Sequence, residues 1–371
     1  MRKTRTLLLF SFVAAILICG SLLTPGLADS GANHQVRNMH FGVSGGNVND
    51  ISHAFCCSGT LGSLVTDGTT KYILSNNHVL ARGDQATAGE DISQPGLIDN
   101  GCRVATVVAD FSIAAPLGSN VDAALAQLRT GTMDSTGFIE DIGAPSSAVL
   151  APSVGLSVAK SGRTTGFTTG SIGSINTSVN VQYQKDCGSG RKFFVPYTNQ
   201  VVINSTTFSA GGDSGSLIVT NDLSHNPVAL LYAGSSSTTI GNPIGEVLAA
   251  LSNIVGRSIT FGGGGGGGGG HRGPKGGQSA QQPYIPGLGA QMRVLPQQAV
   301  EHALAVLEQH RANLMFQPGV IGAGVGASDK IDGEAAIVIY VDRTAAAKPQ
   351  FADLLDGVAV RVVYTDPFIA F

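Results

Sequence analysis

The chain has 371 residues, of which 43% are hydrophobic and 13% are charged, and its formal net charge at pH 7 is -3. This length exceeds one typical domain and predicts two, with enough apolar side chains to fill a core. The charge is too low for a basic surface that binds nucleic acid, and we expect no nucleic-acid partner.

The N-terminus has the pattern of a secretory signal. Basic residues among the first five precede an apolar stretch over 7–23, and small residues follow up to Ala28. We therefore predict a signal peptide over residues 1–28 and a secreted or periplasmic protein. The alternative is an uncleaved segment that anchors the chain in a membrane, because the apolar stretch approaches the length of a spanning helix.

Short apolar runs follow one another between residues 54 and 219. They are rich in Val, Ile, Thr and Ser and are bounded by glycines, as at 60–65, 71–74, 104–108 and 201–203. Short strands separated by turn signals predict an all-β barrel or sandwich. Two further runs between 170 and 183 are typical of strands that begin a second barrel.

Four cysteines remain once the predicted signal is removed: Cys56, Cys57, Cys102 and Cys187. An even number in an exported chain favours disulfides over metal or redox roles. Because neighbouring cysteines rarely bond to each other without strain, we expect Cys56 and Cys57 each to join a distant partner, in either arrangement. The alternative is that one pair stays reduced in the core.

A histidine and an aspartate stand beside apolar segments in this region. His78 follows the run 72–74, and Asp122 precedes the run 123–125. An imidazole that takes a proton and a carboxylate that orients it are what a serine nucleophile requires. Asp110 is an alternative residue to orient the imidazole. We favour Asp122, because its distance in sequence from His78 is closer to that of a known triad and because the alanines after it let a strand pack closely.

The nucleophile is predicted in the hexapeptide at 211–216, Gly-Gly-Asp-Ser-Gly-Ser. Glycines allow a tight turn that exposes the Ser214 hydroxyl, and the N–H groups of Gly212 and Ser214 are the expected oxyanion hole. The order His78, Asp122, Ser214 has separations of 44 and 92 residues. A two-barrel serine protease has about 45 and 93 in the same order.

At these residues the sequence resembles the trypsin/chymotrypsin-like superfamily, and more narrowly the trypsin-like peptidases of bacteria and of the plant narrow-leaf type. The resemblance covers about residues 40–260. It rests on the runs SGTLG (58–62), SNNHV (75–79), QPG (94–96), VDAA (121–124) and GRTTG (162–166). It implies a two-barrel chymotrypsin-like fold and a serine endopeptidase without a cofactor. It also implies that Asp213 bonds the mature N-terminus or a nearby donor.

The preferred substrate residue is predicted from the lack of an acidic residue at the expected base of the specificity pocket. The resemblance puts the residue at the base of the specificity pocket six positions before the nucleophile, where Phe208 stands. A cationic side chain buried without a carboxylate would cost several kcal/mol. We therefore expect a small or apolar residue before the cleaved bond.

A glycine run marks a domain boundary. Nine consecutive glycines at 262–270 cannot form a packed core, and we predict a flexible linker over 261–286. The remaining segment, 287–371, is predicted to be a small α/β domain. Its expected elements are a helix over 297–316, strands over 320–325, 335–341 and 358–364, and a short helix over 350–355.

This C-terminal segment resembles a module that accompanies such peptidases, often on their N-terminal side. Its role is left open between binding of a substrate or partner, restraint of the protease and assistance in folding. The sequence as a whole predicts a secreted serine endopeptidase that acts on protein or peptide substrates, with no metal. The alternative is a non-catalytic binding module on a protease scaffold, with intact motifs and a closed cleft.

Overall fold

The computed structural model describes residues 34–262 and 295–371. The predicted signal peptide over 1–28 lies outside the described residues, as does most of the predicted linker over 261–286. Within the described ranges, no helix has the length and hydropathy that a membrane crossing requires.

Strands dominate the described chain. In chain order they are β1 (Val43–Asn47), β2 (Gly59–Leu61), β3 (Ser63–Thr66), β4 (Lys71–Ser75), β5 (Asp91–Gln94), β6 (Thr106–Ala114), β7 (Ala124–Leu128), β8 (Ser157–Gly162), β9 (Gly166–Asp186), β10 (Ser189–Asn204), β11 (Leu217–Thr220), β12 (Pro227–Gly234), β13 (Thr238–Pro243), β14 (Thr260–Phe261), β15 (Val320–Ala327), β16 (Ala335–Asp342), β17 (Leu354–Leu355), β18 (Val358–Thr365) and β19 (Ile369–Ala370). The helices are α1 (Asn77–Leu80), α2 (Ile244–Val255), α3 (Gln297–Phe316) and a 3-10 turn at Leu97–Asn100.

The first sheet closes on itself through a kinked strand. Its order is β14-β3-β4-β7-β6-β5-β1-β2, and only Gly62 separates β2 from β3. Because β2 pairs with β1 while β3 pairs with β4, the kink joins the two ends into a barrel. Fully buried residues of its core cluster include Leu61, Ile73, Ala109 and Leu125.

A second ring of strands forms the other barrel. The order β10-β13-β12-β11-β8-β9 closes because β9 also pairs with β10. The hairpin of β9 and β10 is long, 21 and 16 residues, so that it extends beyond the ring toward the first barrel. The predicted all-β, two-barrel architecture is confirmed.

The C-terminal segment continues the second sheet. Strand β15 pairs antiparallel with β9, and β16, β18 and β17 follow outward. The glycines of β15 permit this approach, since a Cβ on Gly326 would stand 2.4 Å from the main-chain oxygen of Gly173. Helix α3 buries Ala303 and Leu307 in the core that also contains Ile203 of β10. An α/β domain independent of the barrels is therefore not confirmed.

Most predicted elements of this segment are present, with one correction. The helix predicted over 297–316 is α3, and the three long strands are β15, β16 and β18. The helix predicted over 350–355 is wrong. Leu354 and Leu355 instead form β17, which pairs with β18 through a tight turn whose Asp356 and Gly357 have φ of 46° and 84°. An Asp-Gly pair of this kind favours a two-residue hairpin turn.

Two disulfides tie the loops around the junction of the barrels. Cys56 bonds Cys102 and Cys57 bonds Cys187, with Cα–Cα distances of 5.6 and 5.7 Å. Both neighbouring cysteines therefore join distant partners, as predicted. The second bond fixes the tip of the β9–β10 hairpin to the first barrel, which places the hairpin beside the candidate active site.

Candidate active site

His78 and Asp122 meet because their strands are neighbours. His78 lies in α1 directly after β4, Asp122 directly precedes β7, and β4 pairs with β7 from Ser75 opposite Ala124. The His78 Nδ1–H donates to Asp122 Oδ2 at 2.6 Å. The His78 main-chain N–H donates to the other carboxylate oxygen at 3.2 Å. The predicted pair of base and orienter is thus brought together.

The Asp122 carboxylate is fully buried, and a hydroxyl stabilises its charge. The Tyr183 hydroxyl donates to Asp122 Oδ2 at 2.8 Å, and it also bonds the Tyr197 hydroxyl at 2.7 Å. Burial raises the pKa of Tyr183 well above its ordinary value, so the phenol stays protonated and remains a donor. A buried carboxylate that is fully hydrogen-bonded avoids the cost of an unpaired charge.

Asp110, the alternative orienter, lies elsewhere. Its carboxylate, on β6, binds Arg129, which directly follows β7, at 2.6 Å in a half-exposed pair. This hydrogen bond and the charge of Arg129 lower the pKa of Asp110. Asp110 is therefore part of a surface ion pair.

Ser214 lies on the turn between β10 and β11, and the glycines two positions before it and one position after it have positive φ. Gly212 and Gly215 have φ of 97° and 94°. A Cβ on Gly215 would stand 2.1 Å from the Ser75 hydroxyl, so no larger residue fits. The turn therefore depends on glycine for its shape.

The Ser214 hydroxyl is fully buried, whereas the sequence predicted an exposed one. It donates to the main-chain oxygen of Tyr232 at 3.1 Å, and no hydrogen bond joins it to His78 in the described part of the chain. The N–H of Phe371 approaches the same Tyr232 oxygen at 3.4 Å. Phe371 therefore lies beside the serine.

Two threonines fix two successive peptides shortly before the serine, 211–212 and 212–213. Thr164 Oγ1 donates to the oxygen of Gly211 at 2.6 Å, and Thr60 Oγ1 donates to the oxygen of Gly212 at 2.9 Å. In a trans peptide the N–H points opposite to the carbonyl. The Gly212 N–H is thus directed away from Thr164.

Asp213 is satisfied by donors within the second barrel. Its carboxylate accepts from Thr164 N–H at 2.8 Å, Thr165 Oγ1 at 2.6 Å and Ala210 N–H at 3.0 Å. Lys160 Nζ lies 3.4 Å from the same carboxylate, and both side chains are fully buried. Burial lowers the pKa of Lys160, and the neighbouring carboxylate opposes that shift. Nearby donors, one of the two alternatives for Asp213, are therefore present among the described residues.

The electrostatics of His78 depend on what faces its two ring nitrogens. Nδ1 faces Asp122, and Nε2 lies 3.0 Å from the main-chain oxygen of Phe371. Burial acts to lower the pKa of His78, but the charge and hydrogen bond of Asp122 and the hydrogen bond to Phe371 outweigh it, so the pKa is raised. Two acceptors, one at each nitrogen, favour the doubly protonated ring.

A cleft of about 370 Å³ opens beside these residues. Its walls include His78, Gly212, Phe371 and Asp50. Burial raises the pKa of Asp50 to about 6, with opposing effects from nearby positive groups. Asp50 lies near the sulfur atoms of Cys57 and Cys187, but these form a disulfide and offer no thiolate for a metal.

Phe208 is fully buried in the core of the second barrel. Its ring packs against Gly170 and Ile203, since a Cβ on Gly170 would stand 2.9 Å from it. Phe371 is partly buried against the same core. The preference for a small or apolar residue before the cut stays a prediction.

Sequence reasoning did not identify Tyr183, Thr164 or Phe371 as parts of this site. Tyr183 was predicted only as a strand residue, and Phe371 lies 293 residues from the histidine that it contacts. Thr164 lies in the run GRTTG (162–166), which carries the resemblance but assigns it no role. Nothing in the local sequence distinguishes Tyr183 or Phe371, because only the long hairpin and the returning C-terminal strand bring them here.

No protein-family model matches the chain, and no curated protein matches it. Several solved structures are similar to it. A glutamic acid-specific serine protease has a TM-score of 0.42 at 21% identity, and 60% of this chain covers 98% of it. Protease A of Thermobifida fusca has a TM-score of 0.40 at 18% identity, and 60% of this chain covers 99% of it. Alpha-lytic protease homolog N4 has a TM-score of 0.39 at 18% identity, and 61% of this chain covers 98% of it. In structure the chain resembles chymotrypsin-like bacterial serine proteases.

Proposed function

We propose that the chain is a secreted serine endopeptidase that cleaves peptide bonds of protein or peptide substrates through an acyl-enzyme intermediate. The observation that carries the proposal is the 2.6 Å contact between His78 Nδ1 and the buried Asp122 carboxylate, in a cleft that Gly212 also lines. A neutral imidazole held in this way exposes Nε2 as a base. A partly buried, oriented histidine beside a serine turn supports nucleophilic catalysis.

In the proposed reaction Ser214 Oγ attacks the scissile carbonyl carbon while His78 Nε2 takes its proton. His78 then returns the proton to the leaving amine, and water repeats the sequence to release the acyl group. Asp122 holds the imidazole and stabilises its charged form. The Ser214 side chain must first turn from the Tyr232 oxygen toward His78, which costs one neutral hydrogen bond.

The N–H groups of Gly212 and Ser214 would stabilise the oxyanion. The hydrogen bond from Thr164 supports this role, because it holds the 211–212 peptide with its N–H on the side away from Thr164, and the bond from Thr60 holds the next peptide, 212–213. Donors fixed before the reaction stabilise developing charge without reorganisation.

Export from the cytoplasm is supported by the two disulfides, which persist in oxidising compartments. The segment at 1–28 would direct that export as a signal peptide, or would anchor the protein if it were left uncleaved. The proposed location is secreted or periplasmic.

The rival function is a non-catalytic binding module. Two observations favour it: Ser214 Oγ bonds Tyr232 instead of His78, and Phe371 contacts His78 Nε2. A fluorophosphonate probe separates the two functions, because it labels only a serine that a base activates.

Labelling is expected on the native chain and on a Ser63→Ala variant, and not on Ser214→Ala. Ser63 is a suitable control because its buried hydroxyl has no hydrogen-bond partner among the described residues. Absence of labelling on folded protein, both intact and shortened by residues 369–371, would support the binding module.

A further inference from the structure

The C-terminal end of the chain lies in the cleft as an added strand. Strand β19 pairs antiparallel with the end of β12, with Ala370 opposite Ala233 and Ile369 opposite Gly234. On its other edge Ile369 pairs with Gln182 of β9, whose N–H donates to the Phe368 oxygen at 2.9 Å. The segment is thus held by main-chain hydrogen bonds on both sides, which is how extended peptides are bound by sheet edges.

Phe368 anchors this segment in the core. Its side chain is fully buried, and its ring lies 5.8 Å from the ring of Tyr340. Just before it, Thr365 Oγ1 bonds Ser235 and Ser237 at 2.6 and 3.0 Å, directly after β12. Residues 369–371, which we call the tail, therefore leave a fixed point and enter the cleft at once.

The last side chain of the tail fills an apolar space beside a glycine. A Cβ on Gly234 would stand 2.6 Å from Cζ of Phe371, so the aromatic ring fits only because residue 234 has no side chain. The ring packs against the core that contains Phe208 and Leu231.

The tail also separates the proposed nucleophile from its base. Its Phe371 oxygen takes the hydrogen bond of His78 Nε2, while Ser214 Oγ is turned to Tyr232. A protonated imidazole engaged at both nitrogens cannot accept the serine proton. In this arrangement attack on a substrate is blocked, and the space for residues before the cut is filled.

Resting on the proposed function, we infer that the tail is an intramolecular competitive inhibitor that occupies the place of the substrate residues preceding the scissile bond. Its sequence then names the substrate class: peptides with an aromatic residue, phenylalanine above all, immediately before the cut. A small residue such as Ala370 precedes it, and backbone pairing to Ala233 and Gly234 supplies the rest of the binding. Because the tail is tethered, it competes at an effective concentration in the millimolar range.

The test measures peptide binding in a chain that does not turn over. In the Ser214→Ala background, binding of acetyl-Ile-Ala-Phe is compared by calorimetry between the intact chain and a chain that ends at Phe368. We expect the shortened chain to bind at least tenfold more tightly. Full-length Phe371→Asp, which puts a charge in the apolar space and leaves the fold's strands intact, should show the same gain. Equal binding to all three folded proteins would overturn the inhibitor role.

Specificity is tested with acetyl-Ile-Ala-Lys and acetyl-Ile-Ala-Glu on the shortened chain. Both should bind at least tenfold more weakly than the phenylalanine peptide, and equal or tighter binding of either would overturn the assigned substrate class. In the native serine background, the shortened chain should be labelled by fluorophosphonate several-fold faster than the intact chain. Tail-dependent peptide binding without any labelling would reject the peptidase function and leave tail occupancy standing.

Discussion

Tyr183 and His78 share one oxygen atom of Asp122. The tyrosine hydroxyl lies 2.8 Å from Asp122 Oδ2 and the imidazole Nδ1 lies 2.6 Å from it. The aspartate and histidine belong to the first barrel, whereas Tyr183 comes from the hairpin of the second barrel. The orientation of the proposed base therefore depends on the hairpin that the Cys57–Cys187 disulfide holds in place.

Replacing Tyr183 by phenylalanine tests this link. Loss of a hydrogen bond to a charged group costs about 1.5–3 kcal/mol, so we expect a lower free energy of unfolding and about a tenfold loss in kcat/KM. With less of its charge neutralised, Asp122 should raise the pKa of His78, and the acid limb of the pH–rate profile should move to higher pH. Tyr340→Phe removes a remote buried hydroxyl that bonds Ser174 and is the control. If the acid limb of the pH–rate profile does not move in Tyr183→Phe, Tyr183 contributes only packing to the site.

Replacing Ser214 by alanine should abolish hydrolysis of peptides and esters while the protein stays folded. The hydroxyl makes one neutral hydrogen bond, so the cost in stability is about 1 kcal/mol. The expected loss in kcat is about a million-fold, because the nucleophile acts as a unit with its base. Initial rates and thermal unfolding, compared with Ser63→Ala, measure both effects. Near-native turnover by the alanine variant would exclude the proposed triad.

Much of the site was predictable because its parts are local and carry strong patterns. The histidine after β4, the aspartate before β7 and the glycine turn around Ser214 each sit at the end of an apolar strand, and their order and spacing match a known template. The possible disulfide pairings were reduced to two by covalent geometry, since adjacent cysteines rarely bond to each other without strain.

The rest depended on contacts between segments far apart in sequence. Tyr183 lies in the outer half of the long strand β9, and no sequence pattern there indicates that this half reaches the active site. The edge of β9 that receives β15 carries ordinary strand residues, so the merging of the C-terminal segment with the barrel was not visible. The tail in the cleft follows from that merging, because β18 leads directly to Phe368.

The low-pH limb of the pH–rate profile, which reports the pKa of His78, should depend on the tail. Burial acts to lower the pKa of His78, whereas Asp122 and the hydrogen bond to Phe371 raise it. Removal of residues 369–371 takes away that hydrogen bond and also part of the burial, so the acid limb should shift by the difference between these two opposing effects. A raised pKa also means that this pair stabilises the fold most below the unfolded value of about 6.5, and loses that contribution as pH rises through the folded pKa.

Titration of the His78 Cε1–H resonance in both chains measures the shift directly. Asp50 changes charge in the same cleft near pH 6, so the comparison is repeated with Asp50→Asn to separate the two groups. A His78 pKa and a Cε1–H chemical shift that are both the same with and without the tail would show that Phe371 does not engage the imidazole in solution.

Replacing Thr164 by valine should loosen the proposed oxyanion hole. Valine keeps the shape but loses the donor to the Gly211 oxygen, so the 211–212 peptide is free to rotate and withdraw its N–H. Removing one oxyanion donor costs about 10²–10³ in kcat. Since rotation is only partial, we expect a loss of about ten- to a hundredfold in kcat with little change in KM. Thr132→Val, which removes a hydroxyl that bonds main-chain oxygens in the first barrel, should leave kcat unchanged.

The buried pair of Lys160 and Asp213 should be a strongly coupled element of the nucleophile turn. Both side chains are fully buried with 3.4 Å between Nζ and Oδ2. Lys160→Met leaves the carboxylate without its cation, and breaking such a pair costs about 3–5 kcal/mol. Thr164, Thr165 and Ala210 still donate to Asp213, which places the expected loss at the lower end of this range.

A double-mutant cycle measures that coupling by urea unfolding. Lys160→Met with Asp213→Asn removes both charges, so the double variant should lose less than the sum of the two single variants, by about 1–3 kcal/mol. Simple additivity in the cycle would mean that the lysine and the aspartate are held by their other partners and not by each other.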